Sequence, residues 1–280
     1  MKCIFCKKDS SDSKSVEHIV PESLGNKDII LKPGIVCDKC NNSLARNVEK
    51  PFLDHPCVRL LRSEKSLKSK KGNYPQIQAY SNGGGGGVTV RLVKDDNCEL
   101  SGIEWDGISD ELAGNIKKGE ITSIIYPKFE IGLLPKGRVV SRLLGKMGLE
   151  ELARRLSDYQ EGLDEIAEKV ALDPIRFHVR YGNPVEWPYS VREIDDIDQG
   201  YVNERGESFE ILHEIDLLTL ICEDGGMILY VIFLLHGMEF ALCLNNPKIE
   251  GYYKWLIENN NESPLRTGKN KQEHDPLKKR

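Results

Sequence analysis

Two short cysteine motifs near the start of this sequence decide how its N-terminal part is expected to fold: Cys3-Ile4-Phe5-Cys6 and Cys37-Asp38-Lys39-Cys40. Four thiolates in two C-x-x-C pairs are the number that closes a tetrahedral structural zinc site. Metal binding of this kind supplies folding free energy on the order of 10 kcal/mol, enough to hold a small module together. We therefore predict one structural zinc ion bound by all four of these cysteines.

The segment between the two pairs carries the strongest chemical signal in the chain. It reads Ser15-Val16-Glu17-His18-Ile19-Val20-Pro21-Glu22-Ser23-Leu24-Gly25, and Asn41 directly follows Cys40. Glu17 and His18 stand at the end of a short predicted strand, and the proline and glycine behind them turn the chain. Alone, an acid beside a histidine indicates little more than a satisfied surface histidine. Beside the two cysteine pairs and Asn41, it predicts a catalytic site.

With these motifs in place, residues 1 to about 55 resemble the HNH family of nucleases, in its zinc-stapled branch with the pattern C-x-x-C, E-H-x-x-P-x-x-x-G and C-x-x-C-N. The resemblance implies a ββα-metal finger, in which a hairpin carries His18 and the following helix carries Asn41. It also implies that His18 is the general base that takes a proton from water. Glu17 and Asn41 would hold one catalytic Mg²⁺ or Mn²⁺ ion, which stabilises charge on the scissile phosphate and the leaving 3′ oxygen.

One position departs from the family pattern. Many members carry an asparagine about five residues before the second cysteine pair, where it orients the histidine loop, and here that position is Lys32. Asn26 or a backbone carbonyl could replace it. Glu49 follows Asn41 by eight residues on the same predicted helix, which leaves two interpretations: a further metal-reaching acid or an ordinary surface residue.

Charge is distributed unevenly along the 280 residues. Residues 1–72 carry a formal charge of +6, residues 73–262 carry −15, and residues 263–280 carry +4, which leaves a net charge of −5. A polyanion would be attracted to the two ends and repelled by the middle. We therefore expect DNA to be held at the N-terminal part, although such charges also occur on ordinary solvated surfaces.

Composition and hydrophobic periodicity divide the chain into four parts. We predict a nuclease module over residues 1–62, a flexible linker or extended loop over 63–87, an α+β recognition or regulatory domain over 88–262, and a basic disordered tail over 263–280. Within the large domain, strands are expected at residues 88–93 and 121–130. Two or three helices are expected between residues 136 and 172, and an antiparallel meander between 209 and 244. Residues 176–181 alternate as in a strand, whose basic side chains either face solvent or contact nucleic-acid backbone.

The predicted fold class is therefore α+β, a zinc-bearing ββα-metal finger followed by a mixed α/β domain with an antiparallel meander. The predicted function is a metal-dependent DNA endonuclease, with bacterial restriction or anti-phage defence as its context. Two rivals stay open: a non-catalytic zinc-finger module that binds nucleic acid or protein, and a ribonuclease.

We expect a cytoplasmic protein with no membrane span, because the longest apolar run has only nine residues. A homodimer or a regulatory protein partner is a further alternative.

Overall fold

The computed structural model describes residues 1–82, 87–94, 100–105, 109–196, 199–202, 205–222, 224–267 and 275–276. Residues 83–86 of the predicted linker and most of the predicted basic tail lie outside these described residues.

The helices are α1 (Asp38–Leu44), α2 (Lys50–Leu53), α3 (Pro56–Glu64), α4 (Asp110–Lys117), α5 (Arg138–Arg155), α6 (Gln160–Glu168), α7 (Asp173–Tyr181) and α8 (Glu250–Glu258). The strands are β1 (Glu17–His18), β2 (Ile30–Leu31), β3 (Ile77–Ser81), β4 (Gly87–Lys94), β5 (Leu100–Trp105), β6 (Ile124–Ile125), β7 (Tyr189–Glu193), β8 (Gly200–Val202), β9 (Ser208–Glu210), β10 (His213–Ile221), β11 (Met227–Leu235), β12 (Met238–Cys243) and β13 (Asp275–Pro276).

Contacts within the chain define two compact units. The first, which we call unit 1, comprises Met1–Pro21, Asn26–Pro51 and Lys136–Arg280. The second, unit 2, comprises Glu22–Gly25 and Phe52–Pro135. The functional division into a nuclease module, a linker and a recognition domain stays a prediction.

The N-terminal part of unit 1 has the order strand, strand, helix. Strands β1 and β2 pair antiparallel, with Glu17 opposite Leu31 and His18 opposite Ile30. Helix α1 begins after Cys37, whose side chain caps it by accepting from the Cys40 amide. A π-helical turn over Ala45–Glu49 joins α1 to α2. The predicted ββα arrangement is therefore confirmed, as is the α+β fold class.

The rest of unit 1 is built on a four-stranded antiparallel sheet with the order β10-β11-β12-β7. Alternate residues of β11 face opposite sides, as strand geometry requires. Val231 lies against Gly148 of α5 on one side. Tyr230 and Ile232 join a core with Tyr252 of α8 on the other. The apolar run at Met227–Leu235 is thus a central strand with helices on both faces.

Several of the expected elements are present in the described residues. The meander predicted between residues 209 and 244 is confirmed by the pairing of β10 with β11 and of β11 with β12. The strand predicted at residues 88–93 is confirmed as β4, and helices α5 and α6 occupy the stretch predicted to be helical. Within the stretch 121–130, only the two residues of β6 form a strand.

The strand predicted at residues 176–181 is wrong, because these residues belong to helix α7. Pro174 lies in its first turn, where a missing amide hydrogen costs nothing, and Ile175 and Val179 lie four apart on its buried side. His178 is fully buried, with Nε2 2.9 Å from the Ser141 hydroxyl and Nδ1 2.7 Å from the Pro184 carbonyl. Burial lowers the His178 pKa. Neither His178 nor the buried Arg176 can contact a nucleic acid.

Unit 2 contains a second antiparallel sheet with the order β5-β4-β3-β6. Helix α3 packs against β3, and the Glu64 carboxylate at its end accepts a hydrogen bond of 2.8 Å from the Phe129 amide. Across both units, none of the described helices has the length and apolar character needed to cross a bilayer.

Candidate active site

The four paired cysteines lie together in unit 1. The first pair forms a tight turn, in which the Lys7 amide donates to the Cys3 carbonyl over 2.8 Å and Lys7 adopts a φ of 60°. The Ile4 amide donates to the Ile35 carbonyl, which ties this turn to the second pair. All four sulfur atoms lie within 4.8 Å of one another. The structure thus brings Cys3, Cys6, Cys37 and Cys40 into one cluster.

The geometry of this cluster fits a zinc ion. The Cys6 and Cys37 sulfur atoms are 3.7 Å apart. A tetrahedron with Zn–S bonds of about 2.3 Å has edges of about 3.8 Å. The Cys40 thiol pairs with Cys3, lowers the Cys3 pKa to about 4, and has its own pKa raised. Thiolates, the form that binds metal, are therefore favoured at part of this cluster. Four sulfur ligands with no open position are typical of a structural site.

The predicted catalytic pair lies on β1. Glu17 is only 6% exposed and His18 is half-buried. Burial raises the Glu17 pKa, and the neighbouring Lys146 ammonium acts in the opposite direction. Oxygen Oε1 of Glu17 is 2.6 Å from Lys146 Nζ, whereas Oε2 is buried and accepts no hydrogen bond from the described residues.

Asn41 reaches the same strand from helix α1. It lies in the first turns of α1, and its side-chain Nδ2 is 3.4 Å from the Val16 carbonyl, next to the Glu17-His18 pair. The cysteine turn fixes the start of α1, so the Asn41 position follows from the same cluster. Residues predicted from two separate motifs, the Glu17-His18 dipeptide and Asn41, are therefore neighbours.

Asn26 holds the loop behind His18 in place. It is 1% exposed, and its Nδ2 donates to the Val20 carbonyl over 2.7 Å and to the Ile29 carbonyl over 2.9 Å. Its Oδ1 accepts from the amides of Asp28 and Ile29. Lys32, at the usual middle-asparagine position, instead forms an exposed ion pair with Asp158. The sequence offered two replacements for the missing asparagine, Asn26 or a backbone carbonyl. The contacts of Asn26 are those expected of an asparagine that orients the histidine loop.

A buried lysine that sequence reasoning missed lies beside the predicted catalytic pair. Lys146 of α5 is fully buried, and its ammonium lies within 3 Å of three carboxylates, at 2.6 Å from Glu17, 2.7 Å from Glu49 and 2.9 Å from Glu150. Glu49 is therefore half-buried and ion-paired, and not an ordinary surface acid. The one signal available was that Lys146 interrupts the otherwise apolar stretch from Leu143 to Leu149 and stands four residues before Glu150.

A hollow of about 520 Å³ lies beside the cysteine cluster. Lys8, Lys39 and Arg180 line it together with Asp9 and Asp38, and the Arg180 guanidinium lies 4.8 Å from the ring of Tyr181. Cations and an aromatic ring at such a surface suit a phosphate backbone.

Comparison with known protein families gives one finding for this part of the chain. Residues 3–57 match the family model described as HNH endonuclease. The resemblance seen in the motifs is thereby confirmed for this segment. A search of curated proteins and a search of solved structures each found no match. The HNH match covers about a fifth of the chain and supports a nuclease.

Residues 3–57, which we call the HNH segment, also fit a catalytic divalent cation. Mg²⁺ and Mn²⁺ prefer carboxylate and amide oxygens. The second carboxylate oxygen of Glu17 is buried without a hydrogen bond among the described residues, an arrangement that costs free energy unless a cation is bound. Asn41, on the adjacent helix, offers the amide oxygen.

Proposed function

We propose that this protein is a metal-dependent endonuclease that hydrolyses DNA phosphodiester bonds at the HNH segment. The observation that carries the proposal is the hydrogen bond from Asn41 to the Val16 carbonyl, which joins the helix residue to the Glu17-His18 strand. In this proposal His18 is the general base, and Glu17 and Asn41 hold one Mg²⁺ or Mn²⁺ ion. The cysteine cluster holds structural zinc.

The protein residues have distinct tasks in this mechanism. His18 takes a proton from the attacking water, a task that suits imidazole near neutral pH. Asn26 keeps the loop behind His18 in one conformation through four backbone hydrogen bonds. The divalent cation, when bound, stabilises charge on the phosphate and on the leaving oxygen. Only oxygen ligands are offered by Glu17 and Asn41, which favours Mg²⁺ or Mn²⁺ over softer ions.

Charge supports DNA as the substrate and the N-terminal part as its binding surface. Residues 1–72 carry +6, whereas residues 73–262 carry −15. Lys8, Lys39 and Arg180, at the hollow beside the cysteines, are suited to phosphate contacts. Such contacts hold DNA without reading its sequence, so we propose that residues 88–262 select the target or bind a regulatory partner. Restriction or anti-phage defence in the cytoplasm is the context that we propose for this activity.

Plasmid cleavage by the full-length protein tests the proposal. With Mg²⁺ or Mn²⁺ present, we expect the wild-type protein to nick or linearise plasmid DNA. His18→Ala should reduce the rate by roughly 10²–10⁴-fold, the usual contribution of a general base. Zinc content and DNA affinity should stay at wild-type values, because His18 is neither a proposed zinc ligand nor one of the proposed phosphate-contacting residues.

A matched pair of variants tests the metal ligand. Asn41→Ala should weaken Mn²⁺ binding, whereas Asn42→Ala removes an exposed amide that bonds only to the Asp38 carbonyl and should leave Mn²⁺ binding unchanged. Undiminished cutting by His18→Ala would place the active site elsewhere. DNA binding without cleavage in any metal would favour the zinc-finger binding module, and preferential cleavage of RNA would favour the ribonuclease.

A further inference from the structure

Lys146 links helix α5 to the candidate active site, although it lies outside residues 3–57. It is 128 residues from His18 in sequence and is fully buried. We propose that Lys146 is a positioning residue of the nuclease site, which fixes the Glu17 carboxylate and the His18 backbone and so makes the activity depend on α5. This proposal rests on the proposed function of Glu17 and His18.

The contacts of Lys146 point mainly to the HNH segment. Its ammonium donates to the His18 carbonyl over 2.8 Å and lies 3.3 Å from the Ile19 carbonyl. Two of its three carboxylate partners, Glu17 and Glu49, come from the HNH segment as well. Only Glu150 belongs to α5 itself. The ammonium is thus surrounded by the strand that carries the catalytic pair and by the helical segment after Asn41.

The stability of α5 alone does not account for a lysine at this position. A buried ion pair seldom stabilises a fold more than apolar residues of similar volume would, because both charges lose their hydration. The position of α5 between α7 and the sheet would suit an apolar side chain, as at the neighbouring Met147. An ammonium at this position, with two of its three carboxylate partners outside α5, therefore points to a role at those partners.

The geometry shows what Lys146 does for Glu17. Its ammonium engages Oε1 and leaves Oε2 without a hydrogen bond among the described residues, so one carboxylate oxygen is anchored and the other is available to a cation. Without Lys146, the Glu17 carboxylate would lose this anchor and with it its fixed orientation.

The test uses full-length protein and two variants of α5, Lys146→Met and Arg142→Met. Arg142 is the matched control, because it lies one turn earlier and donates to the Asn47 carbonyl of the HNH segment over 2.9 Å. The hydrogen bonds that the described residues give it go to the backbone carbonyls of Asn47, Val179 and Arg180. Zinc content and thermal melting report folding. Mn²⁺ affinity is measured from the electron paramagnetic resonance signal of free Mn²⁺. The cleavage rate is measured at saturating Mn²⁺ and DNA, and together they show whether the candidate site is intact.

We expect Lys146→Met to weaken Mn²⁺ binding and to lower the saturated rate, each by about 10–100-fold, as is typical when the support of a metal ligand is removed. Arg142→Met should lower the melting temperature while keeping the Mn²⁺ affinity of the wild type. If Lys146→Met does not fold, Lys146→Met/Glu150→Leu removes the second α5 charge with it, and the same losses are expected.

Two failures can be told apart. Wild-type protein that neither binds Mn²⁺ nor cuts DNA contradicts the proposed function, and the positioning role falls with it. A wild type that does both, with a folded Lys146 variant that binds Mn²⁺ as well or better and cuts as fast per folded molecule, overturns the positioning role alone.

Discussion

At the scale of single residues, Asn26 makes the loop contacts that the motif would assign to position 32, and Lys32 does not. Lys32 occupies the place where related nucleases carry an asparagine, but its side chain is two-thirds exposed and pairs with the exposed Asp158. Asn26 is buried and satisfies four backbone groups on both sides of the hairpin loop. The same amide function is therefore supplied from six residues earlier in the sequence.

This exchange predicts unequal effects of two alanine substitutions. Asn26→Ala removes four side-chain hydrogen bonds to the backbone, one of them to the buried Val20 carbonyl, and should lower the free energy of unfolding by about 2–4 kcal/mol. Lys32→Ala removes one exposed ion pair and should cost less than about 1 kcal/mol. Chemical denaturation of the full-length protein measures both. Equal losses for the two variants would contradict the role given to Asn26.

At the scale of elements, helix α5 packs against the β-hairpin that carries Glu17 and His18. It runs without interruption from Arg138 to Arg155, through two glycines that each meet another element. A Cβ atom at Gly145 would lie 2.8 Å from Val179 of α7, and one at Gly148 would lie 2.8 Å from Val231 of β11. Close approach of α7 and the sheet therefore requires glycine, and it sets the position from which Lys146 reaches His18.

Two glycine-to-alanine substitutions in helices should therefore have opposite signs. Gly148→Ala would overpack the contact with β11 and should destabilise the fold by about 1–3 kcal/mol. Gly114→Ala in α4 meets no atom within 4 Å and should stabilise by about 0.5–1 kcal/mol, since alanine is the better helix former. Melting temperatures of the two variants give the comparison. A stabilised Gly148→Ala would show that α5 and β11 do not pack this closely.

At the scale of the whole molecule, the cysteine turns and helix α7 belong to one compact unit. The Arg176 guanidinium of α7 donates to the Ile4 carbonyl over 2.7 Å, and the Lys7 ammonium is 2.6 Å from the Asp173 carboxylate. These contacts fasten the first cysteine turn to α7. The HNH segment is thus held by residues more than 160 positions away in the sequence.

Loss of zinc should therefore destabilise structure beyond the first 62 residues. Cys37→Ser should remove about one zinc ion per chain and raise amide exchange both in the cysteine turns and in α7, because metal binding supplies folding free energy to this unit. Cys222→Ser, at a cysteine outside the cluster, is the control and should retain zinc. Hydrogen exchange read by mass spectrometry locates the change. Faster exchange confined to residues 1–62 would mean that this segment folds as a separate module.

What the sequence by itself determined was local. The paired cysteines, the Glu17-His18 dipeptide and the alternating pattern of the meander depend on spacings of a few residues, and the ββα order, the cysteine cluster and the antiparallel sheet follow from them. The HNH family match lies on these same motifs.

What only the tertiary structure decided was which distant residues share a buried environment. Six alternating residues at 176–181 fit a strand and a short helix equally well. In the structure Ile175, Arg176, His178 and Val179 are buried, which is the spacing of one helix face. Lys146 reaches Glu17 and His18 because α5 packs against the hairpin, and no pattern within α5 encodes that neighbour. Periodicity reports which side of an element is buried, whereas the partner of a buried charge depends on packing between elements far apart in the chain.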